Sequence, residues 1–263
     1  MDARIDGKVA LVTGASRGIG QATALILAQS GAEGVVITSR RAENLERSCS
    51  ELIEAGVPGD RLHSVTAKAD SDEDAKRAVS EAIERFGACD ILINNAGTNP
   101  AAGPLMDVDL GALDKTWAVN QRAPLVWVRE VWHQWMKEHG GAIVNVGSVG
   151  GLRPAPILGA YNISKAAVIH MTHQLAFELA PTVRVNAVAP GVVKTRLAAA
   201  IWEGNEARAA AMHPIGRLGE PLDVAAAITF LCSDAASWIT GVVLAVDGGT
   251  IGATGSLMGH LES

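Results

Sequence analysis

The chain has 263 residues, 48% hydrophobic and 19% charged, and a net charge of −6 from 22 Lys+Arg against 28 Asp+Glu. That balance excludes a disordered chain and favours a large buried core in one α/β domain, since such folds routinely reach this length. No polybasic run occurs, so nucleic acid is not an expected partner.

The segment from Met1 to Lys8 alternates charges without an apolar core, so it does not read as a signal peptide. No apolar stretch reaches the roughly 18 residues a membrane span needs, so no membrane partner is expected. Cys49, Cys89 and Cys232 are far apart and form no CxxC pair. They are expected as three buried free thiols in a reducing, cytoplasmic compartment, not as a disulfide framework or a zinc site.

Along the chain, short β-branched runs at 9–12, 35–37, 62–67, 91–93, 143–146, 183–186 and 242–246 read as buried strands. Between them, 20–29, 42–54, 72–86, 110–138, 160–179 and 223–231 carry helical spacing. Strand–helix alternation predicts an α/β fold with a parallel sheet of seven strands covered on both faces. One segment, 195–212, is helical in pattern where a short connection is expected, and reads as an apolar lid. The stretch from 248 to the end is Gly-rich and weakly patterned. Its last part, 251–263, is a candidate to cross to a neighbouring subunit.

The first strand runs into Thr13-Gly14-Ala15-Ser16-Arg17-Gly18-Ile19-Gly20 and then a helix. Gly14 permits a tight turn, and Gly18 and Gly20 allow close approach of a ligand to the backbone. The helix start offers free N–H groups and a positive dipole end, which suit a pyrophosphate.

This TGxxxGxG spacing resembles the short-chain dehydrogenase/reductase family. The resemblance continues in order through Asn94-Asn95-Ala96-Gly97, Asn120, Ser148, Tyr161-Asn162-Ile163-Ser164-Lys165, Pro190-Gly191 and Val246-Asp247-Gly248-Gly249. It implies a doubly wound Rossmann-type sheet and a nicotinamide cofactor. It also implies that Gly14, Ser16, Arg17, Gly18, Ile19 and Gly20 cradle that cofactor. Asp70, after the third strand, resembles the adenine-edge contact. Asn95, Ala96 and Gly97 resemble the small stretch beside the cofactor, with Asn94 supporting the sheet. Pro190, Gly191, Val193 and Thr195 resemble the nicotinamide and diphosphate side.

Dinucleotide folds that use NAD hold the ribose with an acidic residue about 20 positions beyond the glycines. Here that place reads Ile37-Thr38-Ser39-Arg40-Arg41, without a carboxylate. Ser39 and Arg40, with Arg17, suit a 2′-phosphate. Basic residues at these two places mark NADP(H) users in the family, so NADP(H) is the expected cofactor.

Tyr161 is the one tyrosine in the chain, and Lys165 follows at i+4 on the same helix face. A phenol with a pKa of ~10 is a poor base. At ~6 Å and an effective dielectric of ~20, an ammonium would favour the phenolate by about 3 kcal/mol. The expectation is therefore a Tyr161 tuned downward by Lys165. The resemblance adds the roles. Tyr161 exchanges a proton with the substrate oxygen, Lys165 also holds the nicotinamide ribose, Ser148 orients the substrate, and Asn120 anchors a water leading toward Lys165. Tyr161 and Lys165 thus count among the cofactor contacts as well. His170 and His173 share a helix face without a third ligand, so no metal is expected. Trp127, Trp132 and Trp135 are expected in the core or at a subunit contact.

Segments 98–106, 149–159 and 195–212 would shape the substrate pocket. Leu152, Ile157 and Leu158 suggest an uncharged or acyl-type ketone. The resemblance is strongest to NADPH-dependent carbonyl reductases and to 3-oxoacyl-[acyl-carrier-protein] reductases. The latter place basic residues where this chain has His133 and Phe177, which weakens carrier docking. The expected substrate is a small carbonyl or acyl compound, and the expected assembly is a homodimer or homotetramer. A catalytically silent NADP-binding protein is the alternative from another class.

Overall fold

A computed structural model of the chain describes residues 3–252. Seven strands form one fully parallel sheet. They are β1 (Val9–Val12), β2 (Gly34–Ser39), β3 (Leu62–Thr66), β4 (Ile91–Asn94), β5 (Gly141–Val146), β6 (Val183–Pro190) and β7 (Val243–Val246). Between and around them run α1 (Gly18–Gln29), α2 (Ala42–Glu54), α3 (Asp72–Phe86), α4 (Leu110–Trp117), α5 (Ala123–Val131), α6 (Lys137–His139), α7 (Gly159–Glu178), α8 (Ala199–Trp202), α9 (Glu206–Ala211) and α10 (Pro221–Cys232).

The strand order is β3-β2-β1-β4-β5-β6-β7. The chain winds outward from β1 to β3, then returns to lay β4 on the other side of β1. That reversal opens a crevice above the carboxyl ends of β1 and β4, where α/β sheets bind ligands.

Alternation along the buried strands feeds two cores. Ala10, Val12, Val35, Ile37, Ile91, Ile93 and Val144 pack with Leu27 of α1, Leu45 and Leu52 of α2, and Ile228 of α10. Leu11, Val36, Leu92, Ile143 and Val185 face the other way, onto Val79 of α3, Trp127 and Val131 of α5, and Leu175 of α7. The β-branched runs of β1, β2, β4, β5 and β6 are therefore strands buried on both faces, as parallel packing requires, whereas β3 and β7, at the sheet edges, are mostly half-buried or exposed, unlike the buried strands expected at 62–67 and 242–246.

Two further expectations are corrected. The helix expected over 110–138 is not regular. A π turn, Ala118–Arg122, separates α4 from α5, and a second, Trp132–Met136, separates α5 from α6. Pro124 lies four residues after Asn120 and has no N–H, so the α-type bond to the Asn120 carbonyl cannot form. The backbone widens instead, with the Ala123 N–H donating to the Ala118 carbonyl. The 195–212 segment is likewise not one helix. Gly204, at φ +78°, breaks it into α8 and α9.

The thiols divide as well. Cys89 and Cys232 are buried, whereas Cys49 is only half-buried, and all three are free. Trp127 is a core residue whose Nε1 donates to the Ala69 carbonyl at 2.9 Å. Trp132 and Trp135 flank that core, and Trp135 stacks on His139. The tail expected to cross to a neighbour lies, beyond Gly252, outside the described residues.

Candidate active site

The glycine turn is locked to the end of β4 by one hydroxyl and one amide. Thr13 Oγ1 accepts from the backbone N–H groups of Asn95 (3.0 Å) and Ala96 (3.1 Å) and donates to the Ile93 carbonyl. Asn95 Nδ2 donates back to the carbonyls of Thr13 and Gly14, at 2.8 and 3.1 Å. The two loops touch so closely that a Cβ at Gly14 would lie 2.8 Å from Ala96 Cα, and Gly14 itself sits at φ +65°. A Cβ at Gly20 would lie 2.4 Å from Asn95 Nδ2. Ser39 Oγ donates to Ser16 Oγ at 3.1 Å, which ties the end of β2 to the same turn.

α1 starts at Gly18 with Arg17 as its N-cap, and no side chain caps the first N–H groups. These donors are what an anion would take. Ile19 follows in the first turn and packs against the core. Burial lowers the Arg17 pKa, and so do Arg196, Arg47, Arg41 and Arg40 around it. Cations held this close mark a place for phosphate.

Arg40 borders a cavity of about 560 Å³ together with Lys68, Asp70, Lys115 and Arg122. Asp70 lines this cavity, where it pairs with Lys115 at 2.5 Å. That contact holds the Asp70 carboxyl below its ordinary range.

The catalytic candidates come from three elements. Ser148 follows β5, and its Oγ accepts the Gly150 N–H at 3.0 Å. The same hydroxyl also acts on the Tyr161 phenol. Tyr161 and Lys165 lie on α7, with Lys165 Nζ 5.7 Å from the Tyr161 ring centroid. Nζ also donates to the Val146 carbonyl at 2.8 Å. Asn120 is fully buried in the first π turn. Its Oδ1 accepts the Thr98 N–H at 2.8 Å, and its Nδ2 donates to the Thr98 carbonyl at 2.9 Å and to Ser164 Oγ at 3.1 Å. The Asn120 amide is therefore spent on holding the loop after β4 against α7, and any water contact falls to its carbonyl. Gly97 closes the group: a Cβ there would lie 3.6 Å from Lys165 Nζ and 3.7 Å from Asn120 Oδ1.

The expected tuning of Tyr161 is corrected by this geometry. Burial pushes the phenol above its ordinary value, and the Ser148 hydroxyl draws it back only in part. Burial also lowers the Lys165 pKa to about 8. Both groups are pushed toward their neutral forms, because loss of water outweighs a Coulomb attraction acting over that distance. The side chains of this chain alone do not make the phenol a base.

On the opposite wall, Gly191 presses on the terminal motif, since a Cβ there would lie 2.9 Å from Asp247 Cα. Pro190 ends β6 beside Val246. Val193 is buried and bridges to Gly219. Thr195 faces the glycine turn, with its Cγ2 3.3 Å from where a Gly18 Cβ would be.

The substrate-side segments meet through a bridge between Gly103 and Leu158. Leu152 and Ile157 are exposed there, and Ile157 sits at φ +56°. His133 and Phe177 are both exposed. His170 and His173 make an edge-on pair 6.3 Å apart, and no described cluster of three acidic, Cys or His groups could hold a metal.

Sequence reasoning missed the bonding roles of Thr13 and Ser164. The signal was available as a hydroxyl at the end of an apolar strand and another one turn from the tyrosine.

A family model described as Enoyl-(Acyl carrier protein) reductase, adh_short_C2, matches residues 14–250. Human dehydrogenase/reductase SDR family member 4 is 42% identical over 248 residues, spanning 92% of this chain and 87% of that protein. A Brucella melitensis structure described as a short-chain dehydrogenase/reductase, glucose/ribitol dehydrogenase, is 31% identical. It superposes with a TM-score of 0.88 over 95% of this chain and 99% of that one. ElxO, solved with NADP bound, is 31% identical and superposes with a TM-score of 0.86 over 93% and 99%. This chain belongs to the short-chain dehydrogenase/reductase family of oxidoreductases.

Proposed function

We propose that this protein is an NADP(H)-dependent reductase that turns a ketone, 3-oxoacyl or related carbonyl compound into a secondary alcohol. The observation that carries this reading is the placement of Lys165 and Asn120 against Gly97, with Tyr161 beside Lys165 and Ser148 beside Tyr161, one loop away from a glycine turn that cannot accept a Cβ. The cradle fits a dinucleotide, with free N–H groups at α1 and a guanidinium at its cap.

The bound nicotinamide supplies the hydride. The protein's share is binding, orientation and the proton. Arg17 and Arg40 take the 2′-phosphate, helped by Ser16 and Ser39. Ser148 donates a hydrogen bond to the substrate oxygen and fixes its position. Tyr161, held protonated by its burial, delivers a proton to that oxygen as general acid. Lys165 holds the nicotinamide ribose hydroxyls and, with the oxidised ring's charge, stabilises the phenolate left behind. The Asn120 carbonyl, released from α-type bonding by Pro124, holds the water through which the proton is replaced.

Exposed Leu125, Ile163, Phe177 and Trp238 support assembly through α5, α7 and the β7 edge into a homodimer or homotetramer. The free thiols fit a reducing, cytoplasmic setting. No helix among the described residues is long and apolar enough to cross a membrane.

The test is a substrate panel of acetoacetate esters, diketones, ring ketones, and free and carrier-bound 3-oxoacyl thioesters, each with NADPH and with NADH. The expected result is faster turnover of small ketones with NADPH. Carrier-bound thioesters outrunning the rest would assign a fatty-acid-synthesis role instead. Cofactor binding without turnover of any carbonyl would mean a silent NADP-binding protein.

A further inference from the structure

The reading above leaves Arg196, a cation beside the cofactor cradle, without a role. From the buried Val193 the chain runs through Lys194, Thr195 and Arg196 into α8. Lys194 is neutralised where it stands, by Glu206 at 2.6 Å and Glu220 at 3.1 Å. Its backbone is also fixed, since the Lys194 N–H donates to the Gly219 carbonyl at 2.9 Å. Arg196, two residues on, is exposed and has no carboxylate or hydrogen-bond acceptor among the described residues. Arg17, in the glycine turn, has none either.

Arg196 and Arg17 are each one residue from a packing contact between their two segments. Thr195 Cγ2 lies against Gly18, the first residue of α1 and the neighbour of Arg17. Of the four arginines that act on Arg17, Arg196 has the largest effect. Like charges in one another's field destabilise the arrangement that holds them there. A doubly charged ligand between them reverses the sign. The position also selects which charge. Thr195 packs on Gly18 at the start of α1, whose free N–H groups suit a diphosphate, whereas Arg40 stands after β2 on a cavity whose lining includes neither Arg17 nor Thr195.

We propose that Arg196 is a lid-borne binding residue for the cofactor's diphosphate, so that dinucleotide binding replaces the Arg17–Arg196 repulsion with a shared anion and draws α8 and α9 onto the cleft. This rests on the dinucleotide reading above. It assigns the 195–212 segment a closing signal that comes from the cofactor and not from the substrate.

The test uses the full chain and three proteins: wild type, Arg196→Ala and Arg196→Lys. Fluorescence titration gives Kd for NADPH and NADH, and hydrogen exchange over residues 197–212 is followed with and without saturating NADPH. Losing one charge-assisted contact on an exposed side chain should weaken both cofactors by a similar factor of about ten. Wild type should gain protection over 197–212 on binding, Arg196→Ala should not, and Arg196→Lys should recover part of both effects. Unchanged affinity with full protection in Arg196→Ala would overturn the proposal while leaving the dinucleotide reading intact. A loss confined to NADPH would overturn the diphosphate assignment. Absence of dinucleotide binding in wild type would remove the underlying reading, and this inference with it.

Discussion

The cofactor wall and the substrate wall of the crevice are built in opposite ways. On the cofactor wall, Thr13 and Asn95 make five hydrogen bonds between two loops, and the glycines are packed below the distance a side chain could occupy. On the substrate wall, 149–159 and 195–212 present exposed Leu152, Ile157, Leu197 and Ile201, tethered by the Gly103–Leu158 bridge and the Lys194 ion pairs. A rigid wall holds a ligand whose shape never changes. A loosely tethered apolar wall can move, which is what entry and exit of a substrate require. Ser148, Tyr161 and Lys165 sit at the seam, on β5 and α7, and so share the rigidity of the sheet.

The largest expected effect is at that seam. Tyr161→Phe should lower kcat by about 10³-fold while NADPH still binds, as measured by steady-state kinetics and titration. Near-normal turnover would mean that another group supplies the proton.

Next comes the buried ammonium. Below pH 8 both folded and unfolded chains carry the Lys165 charge, and the fold bears the cost of burying it. Between about 8 and the ordinary 10.5 the folded chain has released this proton and the unfolded chain has not. Stability should therefore rise with pH across that window, by up to about 3 kcal/mol from this residue. Cys89 and Cys232, whose thiols burial pushes from 9.0 up to about 12, oppose the trend above pH 9, and Tyr161, raised above its ordinary 10.0, opposes it above pH 10. The Lys165 share is therefore read as a difference: melting curves of the cofactor-free protein should gain stability with pH relative to Lys165→Met across the window. An equal slope in the variant would show that Lys165 is not buried as an ammonium.

The contrast between the walls is sharpened by two alanines. Gly14→Ala faces both a positive φ and a contact at 2.8 Å, and should cost about 3 kcal/mol together with cofactor affinity. Arg40→Asp, on the same wall but exposed, should lower the NADPH-to-NADH ratio of kcat/KM by about ten- to a hundredfold. An unchanged ratio would remove Arg40 from the 2′-phosphate. Gly204→Ala meets no atom within 4 Å, so only its φ of +78° resists. It should cost about 1 kcal/mol and alter KM more than kcat. Equal damage from the two alanines would end the distinction between the walls.

Most of the rigid wall was legible as sequence, because its demands are local. A strand followed by TGxxxGxG, with Tyr161 and Lys165 one helical turn apart, specifies backbone shape and side-chain face within a few residues. Strand–helix alternation likewise implied the sheet. The substrate wall was less legible. Its helical spacing hid the break at Gly204, since a lone glycine inside a helical pattern is usually tolerated. The π turn at Asn120 had a signal in Pro124, four residues on.

By itself the sequence determined the strand-and-helix alternation, the family motifs and the placing of Tyr161 and Lys165 on one helix face. Each of these depends on spacing along a single element. Only the tertiary structure decided how those residues are charged, because the pKa values of Tyr161 and Lys165 answer to the water excluded by β5, α7 and the loops between them. It alone also brought Thr195 against Gly18 across about 180 residues of chain, the segment after β6 reaching past β5 and β4 to the start of α1.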